Sequence, residues 1–216
     1  MLIPFSDIYN TLKSVNINIT GILHIGAHNC EELGYYTKEG IDSSKIIWID
    51  ALPEKVEEAR LKGIPNVYNA VISDKEEEVT FHITDNTNTR NNRESSSILE
   101  FDTHSIEHPQ VKLIEKRTMN TIPLTKFFKD NKLDSSLYNF WNIDIQGAEL
   151  YALKGAGDLL KTVSVLYLEV NTKHLYKNCP LLDEIDSFLS ENNFVRVALE
   201  MTSHGWGDAL YIKHPI

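Results

Sequence analysis

The chain has few of the features that would cross-link it, seat it in a bilayer or bind it to nucleic acid. Only two cysteines occur in 216 residues, Cys30 and Cys179. Their spacing fits neither a zinc ribbon nor a redox pair, so two reduced thiols in a cytosol-like compartment are expected. Cys30 is read as a small packing residue. No apolar run approaches the ~20 residues that span a bilayer. The N-terminus lacks a basic stretch followed by a long apolar one, so no secretory leader is read and the expected location is cytoplasmic. Basic residues are outnumbered: 21 Lys and Arg against 31 Asp and Glu, a net charge of −10. A nucleic-acid surface needs clustered Lys and Arg and is not expected.

Glycine is scarce where it would be most informative. Residues 19–31 read Ile-Thr-Gly-Ile-Leu-His-Ile-Gly-Ala-His-Asn-Cys-Glu. An apolar strand runs into a turn and then a helix start. At such a turn, on a strand's carboxyl end, an open α/β sheet holds a nucleotide-like ligand. A dinucleotide turn wants G-x-G-x-x-G. Here only Gly26 is present, and the later positions hold His28 and Cys30. The ligand is therefore not expected to be held by its phosphates, and a nicotinamide oxidoreductase is the weakest reading.

What is present alternates between strand and helix patterns. Residues 5–15 place Phe5, Ile8, Leu12 and Val15 at helical spacing, an N-terminal helix within 1–18 that covers the core. A strand at 21–27 is followed by a helix at 31–39, with Leu33, Tyr35 and Tyr36 facing inward. A strand at 45–51 ends on Asp50, and Pro53 suits the first turn of the next helix. Residues 67–73 read as a third strand, 74–78 as a hairpin tip and 79–84 as its return strand. The polar stretch 85–97 is read as a loop over the site. Further on come an extended segment at 111–119 and a helix at 124–131. A strand at 140–145 precedes a helix at 148–160. A strand at 163–170, a helix at 181–191 and an antiparallel pair, 194–201 and 209–213, complete the chain. Strands separated by helices imply one α/β domain over 1–216. Its sheet is doubly wound and mostly parallel, with an antiparallel strand at the end.

The carboxyl ends of parallel strands converge on one rim. Here that rim carries Gly26-Ala27-His28-Asn29, Asp50-Ala51, Asn69-Ala70-Val71, Asp144 with Gln146, and Glu169 with Asn171. A carboxylate about 20 residues beyond the first turn is placed to hold ribose hydroxyls, and Asp50 fits that position. A ribose without phosphates on an acidic rim points to S-adenosylmethionine, whose sulfonium is cationic.

Four segments and one strand carry a family resemblance. They are Gly21-Ile-Leu-His-Ile-Gly-Ala-His-Asn-Cys-Glu-Glu, Ile47-Trp-Ile-Asp-Ala-Leu-Pro, Ala70-Val-Ile-Ser-Asp, Asn142-Ile-Asp-Ile-Gln-Gly-Ala-Glu-Leu-Tyr-Ala-Leu-Lys-Gly-Ala and Leu166-Tyr-Leu-Glu-Val. Over roughly residues 20–213 the chain resembles the FkbM methyltransferases. That resemblance implies a seven-stranded Rossmann-like fold and S-adenosylmethionine-dependent O-methylation, often of sugars or glycosylated natural products. Four positions depart from the family pattern. His24 stands where an acid is usual, Cys30 replaces the second glycine, Asp50 replaces Glu, and Gln146 replaces Glu.

The expected cofactor-binding set is His24, Gly26, Ala27, His28, Asn29, Glu31, Asp50, Ala51, Asn69, Ala70, Val71 and Asp144. Asp144, flanked by Ile143 and Ile145, is expected beside the transferred methyl group, since a buried carboxylate is costly unless paired or used. Asp144, Glu169 and His204 are the candidate bases. Glu149, in a helix's first turn, suits capping as well as catalysis. Ser96, Gln146, Asn171 and Trp206 are the expected acceptor contacts, and a sugar or glycan hydroxyl is the expected acceptor. His82, His104, His108, His174 and His214 are expected to serve no metal, and no metal site is expected. Two alternatives stay open. In one, Asp144 and Glu169 share a divalent cation. In the other, the fold binds cofactor without turnover, with His24 and Gln146 as marks of lost chemistry.

Overall fold

Four apolar runs bury every residue they contain: β1 (Ile22–Ile25) and β2 (Ile46–Asp50) early in the chain, and two later ones at Phe140–Ile143 and Val165–Asn171. Strands buried on both faces belong to a parallel sheet sandwiched by helices. The computed structural model describes residues 1–89 and 91–214 and shows that arrangement. The remaining early elements are α1 (Phe5–Ser14), α2 (Leu33–Lys38), α3 (Pro53–Leu61), β3 (Val67–Asn69), β4 (Val71–Ser73), β5 (Glu78–Asn86) and α4 (His104–Glu107). Then follow β6 (Val111–Pro123), α5 (Leu124–Asp130), β7 (Phe140–Ile143), α6 (Glu149–Ala156), β8 (Val165–Asn171), α7 (Leu182–Glu191), β9 (Phe194–Met201) and β10 (Trp206–Lys213).

Seven strands form the main sheet in the order β3-β2-β1-β7-β8-β10-β9. The first five are parallel, and β10 runs antiparallel between β8 and β9. The chain winds outward from β1 to β3 and later returns to wind the other way from β7. The crevice at that reversal, between β1 and β7, is where doubly wound sheets bind ligands. α1 lays Phe5, Ile8 and Leu12 on one face of the sheet. The Phe5 ring meets Tyr36 edge-on at 4.7 Å and Phe140 at 5.7 Å.

Residues 67–84 depart from the expected hairpin. The stretch 67–73 is two strands in two sheets. Asn69 Nδ2 donates to the carbonyls of Asp50 (3.0 Å) and Ala51 (2.8 Å), and the Ala70 N–H donates to Asp50 O (3.1 Å). These bonds end β3 against β2. β4 then leaves to pair in parallel with β6, and β5 pairs antiparallel with that same strand. The 74–77 segment is thus a crossover past β6, pinned where the Thr121 hydroxyl donates to Lys75 O at 2.8 Å.

Smaller differences have local causes. Tyr36 is buried, but Tyr35 beside it points outward. Val15 lies past the end of α1 and is exposed. α6 tightens into a 3-10 turn after Ala156. β10 starts at Trp206, earlier than the alternation indicates, because Trp206 already pairs with Asn171. Among the described residues no helix is long and apolar enough to cross a membrane.

Candidate active site

The first turn is built by close approach. Gly26 has φ +87°, and a Cβ there would lie 1.7 Å from the Asp144 carbonyl oxygen, so the ends of β1 and β7 exclude any side chain between them. The Gly26 and Ala27 N–H groups both donate to Ile49 O, at 2.9 and 3.0 Å. His28 and Cys30 then take left-handed conformations, φ 43° and 57°. For side-chain-bearing residues this costs ~1–2 kcal/mol each, and a carboxylate offsets the cost. Asp50 Oδ2 accepts from the His28 N–H at 2.7 Å, and its Oδ1 accepts from the Leu52 N–H at 2.8 Å. Burial pushes the Asp50 pKa upward against the pull of these two donors. Glu31 bonds His28 Nδ1 at 2.9 Å and accepts from the Asn29 N–H at 3.2 Å. Burial opposes ionisation of Glu31, but those bonds outweigh it and hold its pKa at about 2.

The opposite end of the crevice is crowded with acids. Gln146 Nε2 donates to Asp144 Oδ1 at 2.7 Å and to Glu169 Oε2 at 3.0 Å, while its Oε1 accepts from the Tyr176 hydroxyl at 2.6 Å. Asp208 on β10 sits opposite Glu169 on β8 and accepts from the Tyr167 hydroxyl. Asp144, read from the sequence as a buried carboxylate, is exposed on the crevice. The protein packed around it, with the Asp208 charge next in effect, raises its pKa to about 6. Burial and the neighbouring Asp144 push Glu169 well upward too. Glu149 is buried at the start of α6, where its Oε1 accepts from the N–H groups of Ile145 (2.9 Å) and Gly147 (3.1 Å). It ties down the loop between β7 and α6 rather than capping the helix, whose N-cap Ala148 makes no side-chain cap bond, and burial lifts its pKa to about 8.

A cavity of about 480 Å³ joins the two ends. Of the residues singled out in the sequence, His24, Gly26, His28, Glu31, Asp50, Ala51, Ala70, Val71, Ser96, Asp144, Gln146, Glu169 and Trp206 line it. Five others are not among its lining residues. Ala27 is packed in the core, and Asn29 faces Lys55. Asn69 is spent on the end of β2. Asn171 is buried with neither amide atom hydrogen-bonded. His204 is held away from the cavity by Glu107, whose Oε2 lies 2.9 Å from its Nδ1.

The Methyltransferase FkbM domain matches residues 24–196. The chain belongs to the FkbM methyltransferase family. No curated protein matches it. Among solved structures, a putative O-methyltransferase from Klebsiella pneumoniae is similar, with 11% identity, 97% of this chain and 79% of that one covered, and a TM-score of 0.51. A protein of the NADB-Rossmann superfamily from Streptococcus agalactiae has 12% identity, coverages of 95% and 68%, and a TM-score of 0.50. Magnesium protoporphyrin IX methyltransferase from Synechocystis, solved with bound SAM, has 12% identity, coverages of 97% and 77%, and a TM-score of 0.45. At these identities the first two likenesses speak for a Rossmann-like fold alone.

This FkbM methyltransferase also lines its cavity with residues the sequence reading missed. Leu52, Ile72, Phe81 and Ile98 make an apolar wall on the β2 side, and Arg93, Glu94 and Ser95 of the 85–97 loop close over it, Arg90 lying outside the described residues. Lys55, buried on α3, ties the first turn to that loop by donating to Asn29 Oδ1 (3.1 Å) and Asn91 O (3.3 Å). Tyr167, Tyr176 and Asp208 belong to the acidic end. His104 and His108 stand four positions apart across α4, a spacing the reading above passed over, and both line the cavity. Their rings lie 4.9 Å apart, and His204 is 4.8 Å beyond His108. Burial lowers His104 to about 4, so it is neutral at physiological pH.

Proposed function

We propose that the chain is an S-adenosylmethionine-dependent O-methyltransferase acting on a hydroxyl of a sugar or glycan. The residues fit that cofactor. A cavity of about 480 Å³ lies in the range of ~300–1,000 Å³ usual for small-molecule and cofactor sites. Its apolar wall at Leu52, Ile72 and Phe81 suits an adenine. Asp50 keeps two of its roughly four lone-pair sites free for ribose hydroxyls. Glu32 and Asp144 suit the cationic amino-acid end. When bound, S-adenosylmethionine supplies an electrophilic methyl group.

One arrangement carries the hydroxyl reading: two carboxylates at the acidic end, Asp144 and Glu169, bridged by one Gln146 amide at 2.7 and 3.0 Å, with surroundings that push both above the ordinary carboxylate range. A base raised toward neutrality takes up a hydroxyl proton more readily. Gln146 holds both carboxylates by its two N–H bonds and so fixes their spacing. Trp206 offers a face on which a sugar ring can stack. His204, next to solvent, suits the later passage of a proton rather than its first abstraction. Alignment of the two reactants in an enclosed crevice supplies much of the rate.

The test is calorimetric titration with S-adenosylhomocysteine, followed by incubation of methyl-labelled S-adenosylmethionine with a saccharide panel. Binding, and label that survives alkali as an ether does, are expected. Absence of binding at millimolar nucleoside overturns the proposal. A metal-assisted variant has one observation in its favour: ligand oxygens of Asp144, Glu149 and Glu169 lie within 4.8 Å of one another. A cation there would have to displace the Gln146 amide, and activity fully kept in chelator excludes it.

A further inference from the structure

His24 lies two residues before the first turn, at the β1–β7 crevice. Its ring is 2% exposed and packs on Trp48 with centroids 4.8 Å apart. Three buried groups form a chain behind it. Asn142 Nδ2 donates to the Tyr36 hydroxyl oxygen at 2.8 Å, and that hydroxyl lies 3.1 Å from His24 Nδ1. The Tyr36 oxygen already accepts a bond, so its own proton goes to Nδ1. Burial lowers the His24 pKa to about 3, and the ring is neutral. A neutral imidazole that accepts at Nδ1 carries its hydrogen on Nε2. Nε2 has no hydrogen-bond partner of good geometry among the described residues, the Gly26 backbone being a further polar neighbour of the ring. Its edge of the ring is directed toward Glu32, whose Oε2 is 4.0 Å away and which lines the same cavity.

The ligand's orientation follows from the lining. Asp50 and the apolar wall place a nucleoside on the β2 side, so an amino-acid tail would extend toward β1 and β7. That end is rich in acceptors, among them Glu32, Asp144 and Asp208. Besides the amino group of Met1, a residue that also lines the cavity, it offers a side-chain donor of fixed direction, the Nε2–H of His24. We propose that His24 donates this hydrogen bond to the α-carboxylate of the amino-acid tail of S-adenosylmethionine, in a tautomer set by Asn142 and Tyr36. The inference rests on the cofactor reading above.

The test compares two ligands, S-adenosylhomocysteine and its decarboxylated analogue, which keeps the ammonium and lacks the carboxylate. Each is titrated calorimetrically into the full chain, its His24→Leu variant and its Tyr36→Phe variant. For His24→Leu, S-adenosylhomocysteine is expected to weaken about tenfold or more, as for a hydrogen bond to a charged group, with the analogue unchanged. Tyr36→Phe keeps the ring and frees the tautomer; a smaller loss, again confined to the carboxylate-bearing ligand, is expected. It decides the matter if circular dichroism shows His24→Leu unfolded. Equal losses for both ligands, or full retention of S-adenosylhomocysteine affinity, overturn the role of His24 and leave the cofactor reading standing. Failure of the unsubstituted chain to bind either ligand overturns the cofactor reading, and this one with it.

Discussion

The two ends of the cavity handle negative charge in opposite ways. At the β2 end Asp50 is met by two backbone N–H groups and an apolar wall, and Glu31 by His28 and the Asn29 N–H. At the β7 end Asp144, Glu169 and Asp208 crowd together, and their partners are mainly side chains, Gln146 and the hydroxyl of Tyr167, with one backbone donor, the Leu2 N–H, on Asp208. Backbone donors are fixed by the fold, so the first end is rigid and Asp50 is a structural staple. Side-chain donors can be exchanged by mutation, and burial first, then mutual repulsion, pushes the pKa values of Asp144 and Glu169 upward. On the proposed function, the first end would position the ligand and the second would handle the proton.

Four measurements would break or sharpen that division. Asp50→Ala is expected to have the largest effect. It leaves the His28 and Leu52 N–H groups without an acceptor at ~1–3 kcal/mol each and releases a turn with left-handed residues. Urea unfolding should show a loss of about 2–5 kcal/mol, and S-adenosylhomocysteine affinity should fall by two orders of magnitude or more. A small loss in both would mean that the staple is elsewhere.

Gln146→Glu comes next. It deletes both bridging N–H donors and places another carboxylate between Asp144 and Glu169. Destabilisation by about 2–4 kcal/mol is expected at pH 8, with much less at pH 5, where the acids are protonated. Equal losses at both pH values would show that charge is not the cause.

Glu149 tests the same point by titration. Its pKa rises from the ordinary 4.5 to about 8 through burial first and then the Asp144 charge. The folded state therefore binds a proton that the unfolded chain has already released. Glu149's contribution is fully present below about pH 4.5 and is lost as pH rises through about 8. Glu149→Gln keeps an oxygen for the Ile145 and Gly147 N–H groups and never ionises. Thermal melts should find it more stable than the parent by roughly 1–3 kcal/mol at pH 8 and no better at pH 4.5. A constant difference across that range would contradict the assignment. Smallest of all, His204→Ala should change stability by less than about 0.5 kcal/mol, because its bond to Glu107 is a surface one, and should leave nucleoside affinity unchanged.

Much of the framework was legible because burial on both faces writes itself as uninterrupted apolar runs. Ile22–Ile25, Ile46–Asp50, Phe140–Ile143 and Val165–Asn171 needed no partner to be recognised. Asp50 and Asp144 stood out for the same reason, as polar residues where such a run surfaces. The second sheet was not legible. β6 alternates polar and apolar residues, and nothing local states that it pairs with both β4 and β5. Asp208 was missed because its relation to Glu169 depends on cross-strand register, which becomes visible only once β10 is begun at Trp206. His104 and His108 carried a readable signal, their four-residue spacing. The short helix that holds them is packed by Phe101 just before it and by Tyr176, some seventy residues further along the chain, whose approach no local pattern announces. His204 was over-read: its loop position and Trp206 beside it gave no hint of the Glu107 bond that turns it away.

The left-handed Cys30 has a practical side. Its thiol is 3% exposed, and burial together with the nearby Asp50 charge pushes its pKa to about 12, while Cys179 is wholly buried and also pushed upward by burial. Alkylating reagents react with accessible thiolates, so the native chain should be silent toward maleimides. A cysteine introduced at Glu94, on the loop over the cavity, would then be the one labelled position, and a dye there would report directly on ligand entry.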